Sequence, residues 1–139
     1  MFIHLNIHTN YSKMQTSATF RDYLKVVKRM GMKYLAVTEV NGLWGFIHFV
    51  HLAKEYGIKP IAGSNLITGQ DEAILLAETQ TGYENLCRSI SKIHAGIEPM
   101  QNVLKGNSSD LFVLSHKQNT LAGMSKIIPT SHLFVELRP

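Results

Sequence analysis

Phe2-Ile3-His4-Leu5-Asn6-Ile7-His8-Thr9-Asn10-Tyr11-Ser12 is the stretch on which the reading of the whole chain turns. Phe2, His4, Asn6 and His8 alternate with Ile3, Leu5 and Ile7, the period-two pattern of a strand with polar groups on one face and branched apolar groups on the other. Side chains at i, i+2 and i+4 of a strand point the same way, so His4 and His8 can converge on one ion, and neutral imidazole is a common metal ligand. The same two histidines also suit ordinary hydrogen bonding at a strand end. The stretch therefore predicts a first strand and names a candidate site without fixing its chemistry.

Working outward, the chain alternates between strand and helix signals. Ser17-Ala18-Thr19-Phe20 offers caps, after which Tyr23, Leu24, Val27 and Met30 recur at helical spacing until Gly31. Tyr34-Leu35-Ala36-Val37-Thr38 is a nearly continuous apolar run, the mark of a strand covered on both faces. Glu39-Val40-Asn41-Gly42 reads as a turn into a helix over 43–56, which Gly57 ends. A strand over 59–65 carries Pro60 at its start, where a missing donor does least harm. Gly69-Gln70-Asp71 is a turn and 73–77 the returning strand. Helices over 82–96, 99–104 and 121–127 and strands over 111–115 and 132–137 complete the pass. The order β-α-β-α-β-β-α-β-α-β predicts an α/β fold with a mostly parallel sheet or barrel.

With 139 residues and 45% hydrophobic content, the chain has material for one domain, and no second domain is expected. It stops at Pro139 just after a strand, which predicts a partial domain whose uncovered edges favour self-association. The net charge of +4 permits contact with nucleic acid. Arg21, Lys25, Lys28 and Arg29 form a basic stripe at helical spacing, the usual reading of which is a solvated helix face. The single cysteine, Cys87, excludes a disulfide framework and fits a reducing, cytoplasmic compartment. No signal peptide and no apolar run of about 20 residues is visible, so no membrane partner is expected. His94, His116 and His132 have no acidic or thiol partner nearby in sequence, and adjacent Asp71 and Glu72 point apart, so none is assigned a role.

Five blocks, taken together, carry a resemblance. The opening stretch is similar to His-Leu-His-Val-His-Ser-x-Tyr-Ser, and Gly31-Met32-Lys33-Tyr34-Leu35-Ala36-Val37-Thr38 to a Gly-Met-x-Ala-Leu-Ala-Leu-Thr block that leads into Asp-His-Gly. Gly57-Ile58-Lys59-Pro60-Ile61-Ala62-Gly63 is similar to a block leading into Glu. Gly82-Tyr83-Glu84-Asn85-Leu86-Cys87-Arg88 and Leu133-Phe134-Val135-Glu136-Leu137 follow in the same order. These blocks resemble the N-terminal part of the polymerase and histidinol phosphatase (PHP) domain, in the form that begins the alpha subunit of bacterial DNA polymerase III.

The resemblance implies a distorted (β/α)7 barrel, of which this chain would be the N-terminal portion, with metal ligands at the C-terminal ends of strands. Members with an intact site hold up to three ions and hydrolyse phosphoesters, since clustered ions activate water and neutralise the attacking and leaving oxygens. Carried over residue by residue, the ligand set is degenerate. Asn6 stands in place of a first-strand His, Val40 in place of the His after the second strand, and Asn65 in place of a Glu. Valine cannot coordinate, and neutral Asn brings no charge. His8, Glu39 and the off-motif His4 are what remains for a metal. The implied role is a scaffold or docking element in DNA replication, without catalytic residues of its own and with no cofactor. Its partners would be the rest of the polymerase chain, a proofreading or accessory subunit, and DNA through the parent protein. The alternatives are a metal-dependent phosphoesterase or 3'-5' exonuclease holding a Zn, Mn or Fe ion, and a free-standing partner-binding protein.

Overall fold

The computed structural model describes residues 2–138. Its elements run α1 (Phe20–Arg29), β1 (Tyr34–Val40), α2 (Phe46–Tyr56), β2 (Lys59–Thr68), β3 (Asp71–Ala77), α3 (Gln80–His94), α4 (Met100–Leu104), β4 (Leu111–Ser115), α5 (Gln118–Met124), a 3-10 turn (Thr130–His132) and β5 (Leu133–Val135). Local chemistry explains the boundaries. Thr19 and Asp22 form a reciprocal capping box that starts α1, satisfying two otherwise orphaned donors. Thr79 caps α3 through Gly82 N. The last helix begins at Gln118 rather than Leu121, because Ser115 Oγ accepts from Lys117 N at 3.0 Å and turns the chain at once after β4.

The strands form one five-stranded sheet in the order β1-β2-β3-β4-β5, so spatial order follows chain order. β1 and β2 are parallel, as are β4 and β5, while β3 is antiparallel to both β2 and β4. The expectation of a mostly parallel sheet is thereby corrected to a mixed one. The cause is the Gly69-Gln70 link: Thr68 pairs with Asp71 across it, and a connection that short joins only antiparallel neighbours. One consequence matters for the site. The C-terminal ends of β1, β2, β4 and β5 and the start of β3 all lie at the same end of the sheet. The described residues form this open five-stranded sheet and not a seven-stranded barrel.

The helices cover one face of the sheet. Leu35 and Val37 of β1 join Phe20, Leu24, Val27, Phe49, Leu52 and Ala53 under α1 and α2. Leu75, Leu111 and Val113 join Leu86, Met100, Leu104 and Met124 under α3, α4 and α5. Ala36, Ile74 and Leu76 alternate with these along their strands and so face the other way, packing against Leu5, Ile61, Phe112 and Leu114.

The opening stretch departs from its expected form. It is extended but belongs to no strand of the sheet. His4 O accepts from Ala36 N at 3.1 Å, Ile7 O from Thr38 N at 2.8 Å, and Ile7 N donates to the Thr38 hydroxyl at 3.0 Å, so the segment leans on β1 without a regular ladder. Leu5 packs into the inner cluster and Ile7 into the helix-covered one. Two residues that a regular strand would place on one face thus pack into different clusters.

Candidate functional site

The polar residues gathered at the strand ends begin with Glu39. This carboxylate, at the penultimate position of β1, is fully buried, and its oxygens are claimed from within the chain. Thr9 donates its backbone N–H at 3.1 Å and its hydroxyl at 2.5 Å, and the Ser12 hydroxyl also donates to Glu39. Ser12 Oγ in turn accepts from Val40 N at 3.0 Å. Buried charge is tolerated only when its lone pairs are satisfied, and here the donors come from the turn that ends the opening segment. Glu39 therefore anchors that segment to β1, and its hydrogen-bond partners are Thr9 and Ser12, not His8.

A second cluster lies across the same end of the sheet. Glu72 reaches it because β3 starts there, and Glu136 because it directly follows β5, where Glu136 N donates to Ser115 O. The Arg138 guanidinium lies 3.0 Å from both carboxylates. Asn6 Nδ2 donates to Glu136 at 2.7 Å, and Asn65 Nδ2 to Glu72 at 3.2 Å. His116, just past β4, stands between the carboxylates, with Nε2 3.9 Å from Glu72 and Nδ1 3.7 Å from Glu136. Both distances exceed a hydrogen bond, so any attraction is purely that of charge and requires a protonated ring. Burial works against the Glu72 carboxylate, but hydrogen bonds from Arg138 and Asn65, with the charges of Arg138 and His116, outweigh it and hold Glu72 below its usual range. Arg138 is likewise opposed by burial and raised by its two carboxylates.

The residues singled out from the sequence thus separate into distinct places. His4 and His8 line one open cavity of about 410 Å³ against α1, together with Tyr23, Val26 and Met30. The His4 ring meets Phe2 edge-on at 4.8 Å, and His8 Nδ1 is buried without a hydrogen-bond partner. Asn6 and Asn65 join the Arg138 cluster, while half-buried Val40 borders a separate opening with Tyr11, Ser12 and Trp44. Among the described residues no three His, Cys, Asp or Glu side chains come together as a metal-holding group. Glu72, His116 and Arg138 were missed in the sequence. His116 was set aside for want of a partner nearby in sequence, and the fold supplies one from each neighbouring element. The reading of Asp71 and Glu72 as pointing apart holds: Asp71 accepts from Met100 N and the Thr120 hydroxyl, away from the cluster. His48 and His51 are exposed on α2.

No helix among the described residues is long and apolar enough to cross a membrane. Comparison with known proteins agrees with the resemblance in the sequence. Residues 4–135 match the family described as PHP domain. DNA polymerase III subunit alpha of Buchnera aphidicola subsp. Acyrthosiphon pisum is 38% identical over 100 residues, covering 67% of this chain and 9% of that protein. DNA polymerase III subunit alpha of Bacillus subtilis is 30% identical over 128 residues, covering 87% of this chain and 11% of that protein. The chain thus spans about a tenth of the length of the curated relatives it matches. Among solved structures, an amidohydrolase from Chromobacterium violaceum, with bound sulfate and no metal, superposes with a TM-score of 0.53 at 17% identity, over 68% of this chain and 34% of that one, a likeness of fold alone. With a helix-covered sheet, a polar cluster at its strand ends and a family match over almost its full length, this chain belongs to the PHP domain family, and its relatives in sequence include DNA polymerase III alpha subunits.

Proposed function

We propose that residues 1–139 are a partial PHP domain acting as a scaffold or docking element of a polymerase III alpha-type protein, with a protein cation standing where the family would use metal ions. The observation that carries this reading is the Arg138 guanidinium bridging Glu72 and Glu136 at 3.0 Å. Closely spaced dications need several anionic ligands directed at one point. Here Glu39 is consumed by Thr9 and Ser12, Asn6 and Asn65 act as donors to the remaining carboxylates, and Arg138 neutralises both. The described residues do not fit a multinuclear centre. No cofactor is required for the role proposed. The partners it implies are the rest of a polymerase chain, with DNA reached through that chain, and a proofreading or accessory subunit.

One observation favours a second reading, a phosphoesterase or 3'-5' exonuclease with a single Zn, Mn or Fe ion. His116 stands between two carboxylates, with Nε2 3.9 Å from Glu72 and Nδ1 3.7 Å from Glu136, and Nδ1 is buried without a hydrogen-bond partner. Such an ion would have to displace Arg138. The two readings separate on hydrolysis of a generic phosphomonoester and a short single-stranded DNA in the presence of Zn, Mn or Fe. The scaffold reading predicts no metal-dependent turnover. Turnover that disappears in Glu72→Gln would establish the enzyme instead.

A further inference from the structure

The end of the sheet opposite the Arg138 cluster gathers five exposed cations, Lys28, Arg29, Lys33, Lys54 and Lys59. Both α1 and α2 end there in the same way. Gly31 and Gly57, each at φ +71°, take the left-handed conformation that closes a helix, with Met32 N returning to Val27 O and Ile58 N to Ala53 O. The chain then enters β1 and β2 side by side, with Lys59 N donating to Lys33 O at 2.8 Å. Two helix ends and two strand starts are thereby brought together, and each is basic. Lys28 and Arg29 close α1, Lys54 lies in the last turn of α2, and Lys33 and Lys59 stand at the strand entries, all exposed. Lys28 Nζ lies 5.8 Å from the Tyr56 ring centre and Lys59 Nζ 5.5 Å from that of Tyr34, so one cation joins α1 to α2 and another joins β2 to β1. The acid of this region, Glu55, is paired with Arg21. Between Asp22 and Glu39, and again between Glu55 and Asp71, the sequence holds no acidic residue.

We propose that this surface binds the phosphate backbone of duplex nucleic acid without reading its sequence. Paired strands lie about 4.8 Å apart and packed helices about 8–10 Å, so the cations spread over roughly 10–15 Å. A small anion would meet one or two of them, whereas a duplex presents one charge per about 1.7 Å of its axis and can engage all. The tyrosines are half-buried and capped by ammonium groups, which leaves no free ring for stacking unpaired bases and favours a duplex over a single strand. This surface is separate from the polar cluster, and the inference does not depend on the role proposed for it.

The test is fluorescence anisotropy of a labelled duplex DNA of arbitrary sequence, titrated with this chain over a series of salt concentrations. Each phosphate neutralised contributes about −0.9 to the slope of log K against log salt, so engagement of four cations predicts a slope near −3.6 and a loss of about 100-fold between 50 and 200 mM. Lys33→Glu with Arg29→Glu, two residues over no aromatic ring, should weaken binding at least about tenfold while circular dichroism is unchanged. Absence of binding at 50 mM salt would overturn the proposal. So would binding that the double variant leaves intact, or equal affinity for polyglutamate or phosphatidylserine vesicles, which would mark a general polyanion or membrane surface.

Discussion

Replacing Arg138 by Gln should destabilise the chain by about 2 kcal/mol, and about half of that loss, the part due to carboxylate repulsion, should return when Glu72 is also made Gln. Arg138 makes two charge-assisted contacts at 3.0 Å. Hydrogen bonds to charged groups are worth about 1.5–3 kcal/mol when shielded, and the 39% exposure of the Arg138 side chain reduces the pair to about 1 kcal/mol. Removing the cation also leaves Glu72 and Glu136, whose bound oxygens share one nitrogen and so lie within about 6 Å, to repel each other by about 1 kcal/mol at an effective dielectric between 20 and 80. For a chain of this size, 1 kcal/mol moves the melting temperature by about 3–5 °C, so Arg138→Gln should melt about 6–10 °C lower at pH 7. The pH dependence has a definite sign. Glu72 is held below its ordinary value of 4.5 in the folded state, so its contribution is complete above that pH and is lost as the pH falls through the folded value. The gap between wild type and Arg138→Gln should therefore close in acid. Calorimetric or dichroic melting of the four members of the cycle decides the matter. A single variant within about 1 °C of wild type, or strictly additive effects, would refute the network.

Further outcomes follow from the same geometry. Glu39→Ala, which orphans the donors of Thr9 and Ser12, should cost about 3 kcal/mol and expose the opening segment to proteolysis, read by denaturant midpoint and digestion pattern. Asn6→Asp sets a carboxylate where an amide now donates to Glu136, so it should lower stability by about 1 kcal/mol at pH 7 and recover it in acid. Thr19→Ala removes the α1 capping box and should cost about 1 kcal/mol in chemical denaturation. Restoring charged or imidazole ligands with Asn6→His, Val40→His and Asn65→Glu should raise Zn affinity in calorimetric titration only when Arg138 is removed as well, since the guanidinium otherwise holds Glu72 and Glu136.

Much of this arrangement was legible in the sequence, for identifiable reasons. The runs at 34–38 and 111–115 and the Gly31 and Gly57 stops gave strands and helices where they are found, because burial and helix termination are local signals. Asn6 and Asn65, singled out by the block resemblance, donate to Glu136 and Glu72 in the structure. Alternation in the opening stretch misled, since Leu5 and Ile7 serve two different cores and the segment follows the Thr38 hydroxyl rather than a ladder. Glu72, His116 and Arg138 were illegible because their meeting depends on β3 running antiparallel and β5 lying beside β4. Those are pairings between residues up to 66 positions apart, which no spacing rule encodes.

The central claim is that a protein cation, rather than a set of metal ions, organises the strand-end cluster. Elemental analysis of Zn, Mn and Fe in the purified chain, before and after incubation with each ion and dialysis, tests it most directly. The account predicts no ion retained in stoichiometric amount by wild type. Two or more ions per chain, lost on replacing His8 or Glu39, would contradict it and return the site to metal chemistry.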